Sequence, residues 1–200
     1  MKNKKVIKIV SIVALALIIA GIVFACISCA NRDPYEVTHY ATIEIEDYGT
    51  IQLELYGNAA PKTVRNFKKL ANKGFYTGLT FHRIIDGFMA QGGGFTESGS
   101  YKEAGEIKGE FLANGYNNPI SHERGVISMA RAEDYNSGSS QFFIMHKTNT
   151  GLDGQYAAFG KVTSGIEIID QMCKYVEQGY NGAVSVGDRP VIKSITVTKA

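Results

Sequence analysis

The sequence of 200 residues has little cysteine and little net charge. Three cysteines cannot build the disulfide framework that stabilises many small secreted domains. The formal net charge of +2 depends on a cluster of lysines at the start of the chain, and the rest carries slightly more acidic than basic residues. This balance argues against nucleic acid as a partner, because nucleic-acid-binding domains usually present a basic surface.

Several common motifs of cofactor and metal sites are also missing. The segment Gly92-Gly93-Gly94 lacks the spacing of a dinucleotide loop and the Lys-Ser/Thr ending of a phosphate loop. Gly138-Ser139-Ser140 lacks the Gly-x-Ser-x-Gly pattern of a nucleophile elbow. Four histidines have no second ligand at metal-binding spacing and are interpreted as structural or surface residues: His39, His82, His122 and His146. We therefore expect no cofactor and no metal.

The N-terminal segment predicts a signal or an anchor. A basic start precedes residues 9–28, which carry no charge and approach the length of about 20 residues that spans a bilayer. Cys26 and Cys29 follow small residues at the end of this run, which resembles the site where bacterial lipoproteins are cleaved and lipidated. Their Cys-x-x-Cys spacing lacks the strand-to-helix setting of a redox motif. We expect residues 1–29 to be a lipoprotein signal or, as the alternative, an uncleaved transmembrane anchor, and residues 30–38 to be a tether.

Residues 39–200 are predicted to form short strands with two helices. Alternating apolar residues flank Asp47-Tyr48-Gly49 and predict a hairpin. Helical spacing predicts one helix from near Pro61 to Gly74, and a capping box at Ser164–Glu167 predicts the start of a second. Further strands are predicted at 81–85, 88–91, 125–130, 141–145, 157–162 and in the terminal PVIKSITVTK. Seven or eight strands with two helices indicate an antiparallel barrel or sandwich.

The stretch FHRIIDGFMAQGGGF places an arginine among large apolar residues. Burying an unpaired guanidinium is costly, so Arg83 indicates either a surface edge or a functional site. A three-residue connection, Asp86-Gly87-Phe88, would pair Arg83 with Gln91 on one face of the sheet. A two-residue turn would place Gln91 on the opposite face, because side chains alternate along a strand. The length of this connection therefore decides whether the two side chains can share a site.

Three blocks of the sequence resemble, in the same order, those of the cyclophilins, which are peptidyl-prolyl cis/trans isomerases. They are FHRIIDGFMAQGGGF, RGVISMARAEDYNSGSSQFFIMH and LDGQYAAFGKV, and the likeness extends over about residues 38–198. The resemblance implies a mainly β fold, a closed eight-stranded antiparallel barrel capped by two α-helices, within the domain 39–200. It also implies a monomeric enzyme that rotates X-Pro bonds without a cofactor or a metal.

The same resemblance assigns the site residues one by one. Arg83, Gln91 and Phe88 match the catalytic positions of the family. The substrate-binding positions match Met89, Ala130, Arg131, Gln141, Phe143, Leu152 and Tyr156. Tyr156 stands where the family usually has a histidine, and Arg131 where asparagine is common.

Together with the N-terminal segment, these assignments predict the setting of the activity. We expect an extracytoplasmic, membrane-tethered isomerase that acts on proline-containing segments of unfolded or exported proteins. The alternative is a binding module that uses the same groove to hold proline-containing segments as a chaperone or scaffold, without turnover.

Overall fold

The computed structural model describes residues 18–19 and 32–200. Cys26 and Cys29, the predicted lipidation sites, and nearly all of the predicted signal or anchor segment lie outside these residues. Residues Pro34–Ala200 form one compact unit. In the described part of the chain, no helix combines the length and the apolar character needed to cross a bilayer.

Eight antiparallel strands close into a barrel. They are β1 (His39–Ile45), β2 (Gly49–Leu55), β3 (Leu79–Ile85), β4 (Met89–Thr96), β5 (Val126–Met129), β6 (Phe142–Met145), β7 (Ala157–Ser164) and β8 (Val191–Lys199). Their order around the barrel is β1-β2-β7-β5-β6-β4-β3-β8. The prediction of a closed eight-stranded antiparallel barrel is confirmed. Closure removes the free strand edges that would otherwise invite aggregation.

The hairpin of β1 and β2 shows why the alternating sequence folds as it does. Ile43, Ile51 and Leu55 point into the barrel and are fully buried, whereas the glutamates and glutamine between such residues face outward. Asp47, at the turn, adopts a left-handed conformation with φ of 61°. The two strands pair without slippage from His39 opposite Leu55 to Ile45 opposite Gly49. The period of two in the sequence therefore sets the register, since a one-residue slip would expose the whole apolar face.

Two α-helices complete the domain, as the sequence predicted: α1 (Pro61–Asn72) and α2 (Ile166–Tyr175). The apolar face of α1 inserts Phe67 among aromatic rings of the barrel. Its ring centroid lies 5.4 Å from that of Tyr76, 5.6 Å from Phe142 and 5.2 Å from Phe159. These residues belong to the main hydrophobic core, which also receives Met172 from α2.

The start of α1 is capped by a carboxylate from a distant loop. Glu110 is 1% exposed, and one of its oxygens accepts a hydrogen bond from the backbone N–H of Lys62 at 2.9 Å. The other accepts from the backbone N–H and the hydroxyl of Thr63, both at 2.9 Å. The first N–H groups of a helix have no partner within the helix, and a negative charge there also suits the helix dipole. Glu110 thus fixes α1 against the loop that precedes β5.

The capping box predicted for α2 is wrong. Ser164 is still part of β7 and pairs with Gln52 of β2, so its backbone is committed to the sheet. The residue that precedes the helix is Gly165, in a left-handed conformation with φ of 85° and with no side-chain cap. A Cβ atom at Gly165 would collide with the backbone carbonyl oxygen of Thr50. The pairing of β7 with β2 and the close approach of Gly165 to Thr50 therefore prevent Ser164 from capping α2.

Replacement of Gly165 by alanine should therefore destabilise the domain. We expect Gly165→Ala to lower the free energy of unfolding by about 2 to 3 kcal/mol, because the left-handed conformation is unfavourable for alanine and the Cβ meets backbone. Urea denaturation measures the change. The control is Gly105→Ala, since a Cβ atom at Gly105 would meet no other atom within 4 Å and its φ is not positive. Equal effects of the two substitutions would contradict the interpretation.

Candidate active site

The connection between β3 and β4 has the length that brings Arg83 and Gln91 together. Ile85 pairs with Met89 and Arg83 pairs with Gln91, so the connection is the three-residue one, with Gly87 at a φ of 74°. The guanidinium of Arg83 donates from Nη1 to Oε1 of Gln91 over a long 3.4 Å. The prediction that these two side chains share a face is confirmed.

A cavity of about 220 Å³ opens beside this pair. Nine of the ten predicted site residues line it: Arg83, Phe88, Met89, Gln91, Ala130, Arg131, Phe143, Leu152 and Tyr156. The tenth, Gln141, lies in the adjoining cavity of about 330 Å³, which Gln91 and Arg131 also line. The two amides are linked, since Nε2 of Gln91 donates to Oε1 of Gln141 at 2.9 Å. The fold therefore gathers all ten residues into one continuous groove.

The apolar wall of the first cavity is held by packed rings. Phe143 is 5% exposed, and its ring meets that of Tyr156 edge to face at a centroid distance of 5.7 Å. Met89 is buried beside it, while Phe88 and Leu152 are half-buried around the opening. A small, rigid, apolar cleft with polar groups at one side is suited to a ring such as that of proline.

Below Phe143 lies a support that the sequence did not predict. The buried ring of His122 stacks on Phe143 with a centroid distance of 6.0 Å and an interplanar angle of 18°. Its Nδ1 bonds Asp153 at 2.9 Å and its Nε2 bonds the hydroxyl of Ser128 at 3.0 Å. Burial lowers the pKa of His122 despite the nearby carboxylate, so a neutral ring donates to Asp153 and accepts from Ser128. The interpretation of His122 as structural agrees with these contacts.

Arg83 is aimed by a residue from the other end of the chain. Its Nε donates to the carbonyl oxygen of Asn181 at 3.0 Å, and its Nη2 donates to Oδ1 of the same residue at 2.9 Å. Asn181 has a φ of 54°, which asparagine tolerates better than most residues. Partial burial lowers the pKa of Arg83, but the guanidinium remains charged at any ordinary pH. The sequence did not predict this role of Asn181, since the dipeptide Asn181-Gly182 indicates only a turn.

The three glycines of β4 allow other chain segments to approach the groove. A Cβ atom at Gly94 would lie 2.5 Å from Cγ of Gln141, and one at Gly92 would lie 2.9 Å from the carbonyl oxygen of Thr80. Any larger residue at 94 would displace Gln141 and so break its bond with Gln91. The glycines therefore permit close packing beside the groove.

Arg131 lies at the junction of the two cavities and is stacked among aromatic rings. Its guanidinium carbon is 4.7 Å from the ring centroid of Tyr156, 4.8 Å from Tyr135 and 5.3 Å from Phe111. Its Nε donates to the carbonyl oxygen of Gln155 at 3.1 Å. These contacts hold the side chain in place, with cation–π attraction added to the hydrogen bonds. The result is a fixed positive charge at the edge of the groove.

Acid should destabilise the domain through His82. Burial, with the charge of Arg189 added, lowers the pKa of His82 from 6.5 to about 4. A histidine whose pKa is lowered on folding stabilises the native state above its unfolded-state pKa, and that contribution is lost as pH falls toward the folded value. Between pH 6.5 and 4, the free energy of unfolding of the parent should fall by about 2 kcal/mol more than that of His82→Gln, which lacks the titrating ring. Urea denaturation at pH 7 and 4.5 measures it, and parallel pH profiles for variant and parent would contradict the assignment.

Comparison with known proteins agrees with the fold. Residues 40–200 match the family described as cyclophilin type peptidyl-prolyl cis-trans isomerase/CLD. The chain is 50% identical over 114 residues to peptidyl-prolyl cis-trans isomerase B of Bacillus subtilis, covering 57% of this chain and 76% of that protein. It is 34% identical over 196 residues to a peptidyl-prolyl cis-trans isomerase of Acinetobacter baylyi, covering 92% of this chain and 97% of that one.

Solved structures give the same result. A cyclophilin type isomerase of Cryptosporidium parvum superposes with a TM-score of 0.66 at 27% identity, covering 82% of this chain and 99% of that one. The same protein, crystallised in the presence of the dipeptide Ala-Pro, gives a TM-score of 0.65 at 27% identity, covering 80% of this chain and 99% of that one. With the closed barrel, the family match over residues 40–200 and the two bacterial relatives, the chain belongs to the cyclophilin-type peptidyl-prolyl cis-trans isomerases.

Proposed function

We propose that this isomerase accelerates the rotation of X-Pro bonds in exported proteins, outside the cytoplasm, while it is tethered to a membrane through a lipid on Cys26 or Cys29. The main support for the proposal is the order of the segments along the chain. The chain begins with basic residues, followed by an uncharged apolar run and two cysteines. After them comes the barrel, whose groove is lined by the predicted site residues. A cytoplasmic isomerase would have no use for such a leader.

Within the groove, we assign the central chemical role to Arg83. Rotation of an X-Pro bond meets a barrier of roughly 18 to 20 kcal/mol, because the amide loses its resonance at the twisted transition state. The proline nitrogen then becomes a better hydrogen-bond acceptor, and a donor aimed at it stabilises the transition state more than the ground state. A guanidinium has five N–H donors, of which three engage Asn181 and Gln91. The remaining two N–H groups are available to donate a hydrogen bond to the proline nitrogen.

The other groove residues hold the two sides of the rotating bond. The cleft around Phe143 and Met89 binds the pyrrolidine ring, and the linked amides of Gln91 and Gln141 bind the peptide backbone beside it. The dipeptide Ala-Pro used with the Cryptosporidium parvum relative supports a proline-containing ligand for this groove. Because no bond between heavy atoms is made or broken, these positioning and hydrogen-bonding groups are sufficient for the reaction.

The location can be tested by mass analysis of the mature protein from its native host. We expect cleavage immediately before Cys26 or Cys29 and a mass increment on that cysteine that corresponds to a lipid. Cys26→Ala and Cys29→Ala, made separately, identify the modified residue, since only one of them abolishes the increment. An intact Met1 with an unmodified apolar segment would support the transmembrane alternative, and an unmodified cytoplasmic chain would contradict the proposal.

The role in folding requires a separate experiment. Uncatalysed prolyl isomerisation takes about 10 to 100 s at 25 °C, so it limits the refolding of many exported proteins. We expect catalytic amounts of the domain 34–200 to accelerate the slow refolding phase of an exported substrate whose native state contains a cis proline. Acceleration only at stoichiometric amounts would favour a proline-binding scaffold instead.

A further inference from the structure

Three potential metal ligands converge behind the turn that joins β3 and β4. Asp86 belongs to that turn, His146 directly follows β6, and Cys173 lies on α2. One ligand atom from each of the three lies within 4.8 Å of the other two. His146 and Cys173 are buried, whereas the side chain of Asp86 is 72% exposed. The cluster is therefore closed on the protein side and open to solvent through the carboxylate.

The hydrogen bonds of His146 leave two acceptors facing each other. Its Nδ1 accepts from the backbone N–H of Gly87 at 3.0 Å, so this nitrogen carries a lone pair. The carboxylate Oδ1 of Asp86 lies 3.3 Å from the same nitrogen. A cation that took the place of the Gly87 hydrogen bond at Nδ1 would have the carboxylate of Asp86 within reach.

Hydrogen bonds from surrounding side chains hold the three potential ligands in place, as they do in many metal sites. Nε2 of His146 lies 3.0 Å from Oδ1 of Asp170, to which it donates, and Asp170 is itself bound by Arg124 at 2.8 Å. A carboxylate on the far nitrogen of a histidine is the common support of a metal-bound imidazole. Gln178 connects the remaining two ligand segments. It accepts from the backbone N–H of Asp86 at 3.0 Å and donates to the carbonyl oxygen of Cys173 at 2.7 Å.

We propose that Asp86, His146 and Cys173 form a zinc site that the isomerase reaction does not use. One sulfur, one imidazole nitrogen and one carboxylate oxygen make the mixed donor set that Zn²⁺ accepts, with water as a fourth, exchangeable ligand. Tetrahedral zinc, with bonds of about 2.0 to 2.3 Å, places its ligand atoms a little under about 4 Å apart. The ligand atoms of the cluster lie within 4.8 Å of one another, so zinc would draw them closer together.

The binding step has a defined proton balance. A cysteine thiol carries its proton at neutral pH and binds zinc as the thiolate. Zinc replaces this proton, a sulfur–zinc bond forms, and one proton passes to the buffer. The Gly87 N–H loses its acceptor on His146 when zinc takes the nitrogen lone pair. Because the backbone N–H of His146 donates to the carbonyl oxygen of Phe88 at 2.9 Å, the metal also ties the turn that carries the cavity wall.

Calorimetric titration of the domain 34–200 with ZnCl₂ tests the proposal. This compact unit has its own core and contains Cys173 as its sole thiol, so Cys26 and Cys29 do not interfere. We expect one zinc per chain, with about one proton released, as obtained from titrations in buffers of different ionisation enthalpy. Cobalt(II) should bind with a thiolate-to-metal charge-transfer band that is absent from Cys173→Ser.

Matched variants separate the cluster from nonspecific binding. We expect Cys173→Ser and Asp86→Asn each to weaken zinc binding at least tenfold, and Asp170→Asn to weaken it by about 10- to 100-fold through the histidine. Asp47→Asn, which removes an exposed turn carboxylate elsewhere, should bind zinc as the parent does. Because Asp86 is exposed, its variant remains folded even if Cys173→Ser does not. Absence of stoichiometric binding, or equal binding by parent and Asp86→Asn, would overturn the proposal.

Discussion

Arg83→Ala should lower kcat/KM for an X-Pro peptide by about 100- to 1,000-fold, which is the typical effect of removing one preorganised donor to a transition state. The loss should fall mainly on kcat, because the proposed bond to the proline nitrogen strengthens only as the amide twists. The cavity wall formed by Phe143 and Met89 is unchanged by the substitution, so KM should change little. Exchange spectroscopy by NMR measures the rates with peptide at saturating and limiting concentrations.

Two further variants define what the arginine contributes. Arg83→Lys should recover little of the activity, because an ammonium group cannot reproduce the planar, double contact with Asn181. Arg65→Ala removes an exposed arginine from α1, outside the groove, and should retain parental rates. Because Arg83 is only partly buried, the free energy of unfolding of Arg83→Ala should stay within about 1 kcal/mol of the parent. A variant that is folded and fully active would refute the assigned role of Arg83.

Glu110→Ala should lower the free energy of unfolding by about 3 kcal/mol, since it removes a buried, charged acceptor of three hydrogen bonds. The backbone N–H groups of Lys62 and Thr63 would then be left without a partner at the start of α1. Phe67, which lies in the same helix, joins the aromatic core, so loosening of the helix start also affects packing. Urea denaturation at neutral pH measures the loss.

An exposed acid in the same loop provides the control for Glu110. Glu103→Ala removes the same charge from an exposed position and should change stability by no more than about 0.5 kcal/mol. Glu110→Gln keeps the shape but places an NH₂ group against backbone donors, and it should lose at least about 1 kcal/mol. If Glu110→Ala were as stable as Glu103→Ala, the capping role of Glu110 would be wrong.

The regular elements could be predicted because their causes are local. Alternation in β1 and β2, the proline at the start of α1 and the apolar spacing of both helices depend on residues close in sequence. The start of α2 could not be predicted in the same way. The Ser164–Glu167 pattern is a valid cap signal, but the pairing of Ser164 with Gln52 and the close approach of Gly165 to Thr50 come from a strand more than a hundred residues away.

The sequence predicted the residues that line the candidate groove but not the residues that hold them in place. Arg83 and Gln91 lie eight residues apart, so only the length of one turn had to be inferred to place them together. Asn181, which aims Arg83, is 98 residues away, and His122, which supports Phe143, gave no pattern at the level of sequence. Contacts between residues so far apart in sequence depend on how the barrel closes. The spacing of neighbouring residues gives no information about that closure.

By itself, the sequence determined the strand and helix content, the family and the side chains that line the groove, because periodicity and ordered motifs are properties of the chain. The tertiary structure decided which distant groups meet. Closure of the barrel brings Glu110 to the start of α1, Asn181 to Arg83, and Cys173 to Asp86 and His146. The physical reason is that hydrogen bonds and ion pairs act over a few ångströms in space, whatever the separation of their partners along the chain.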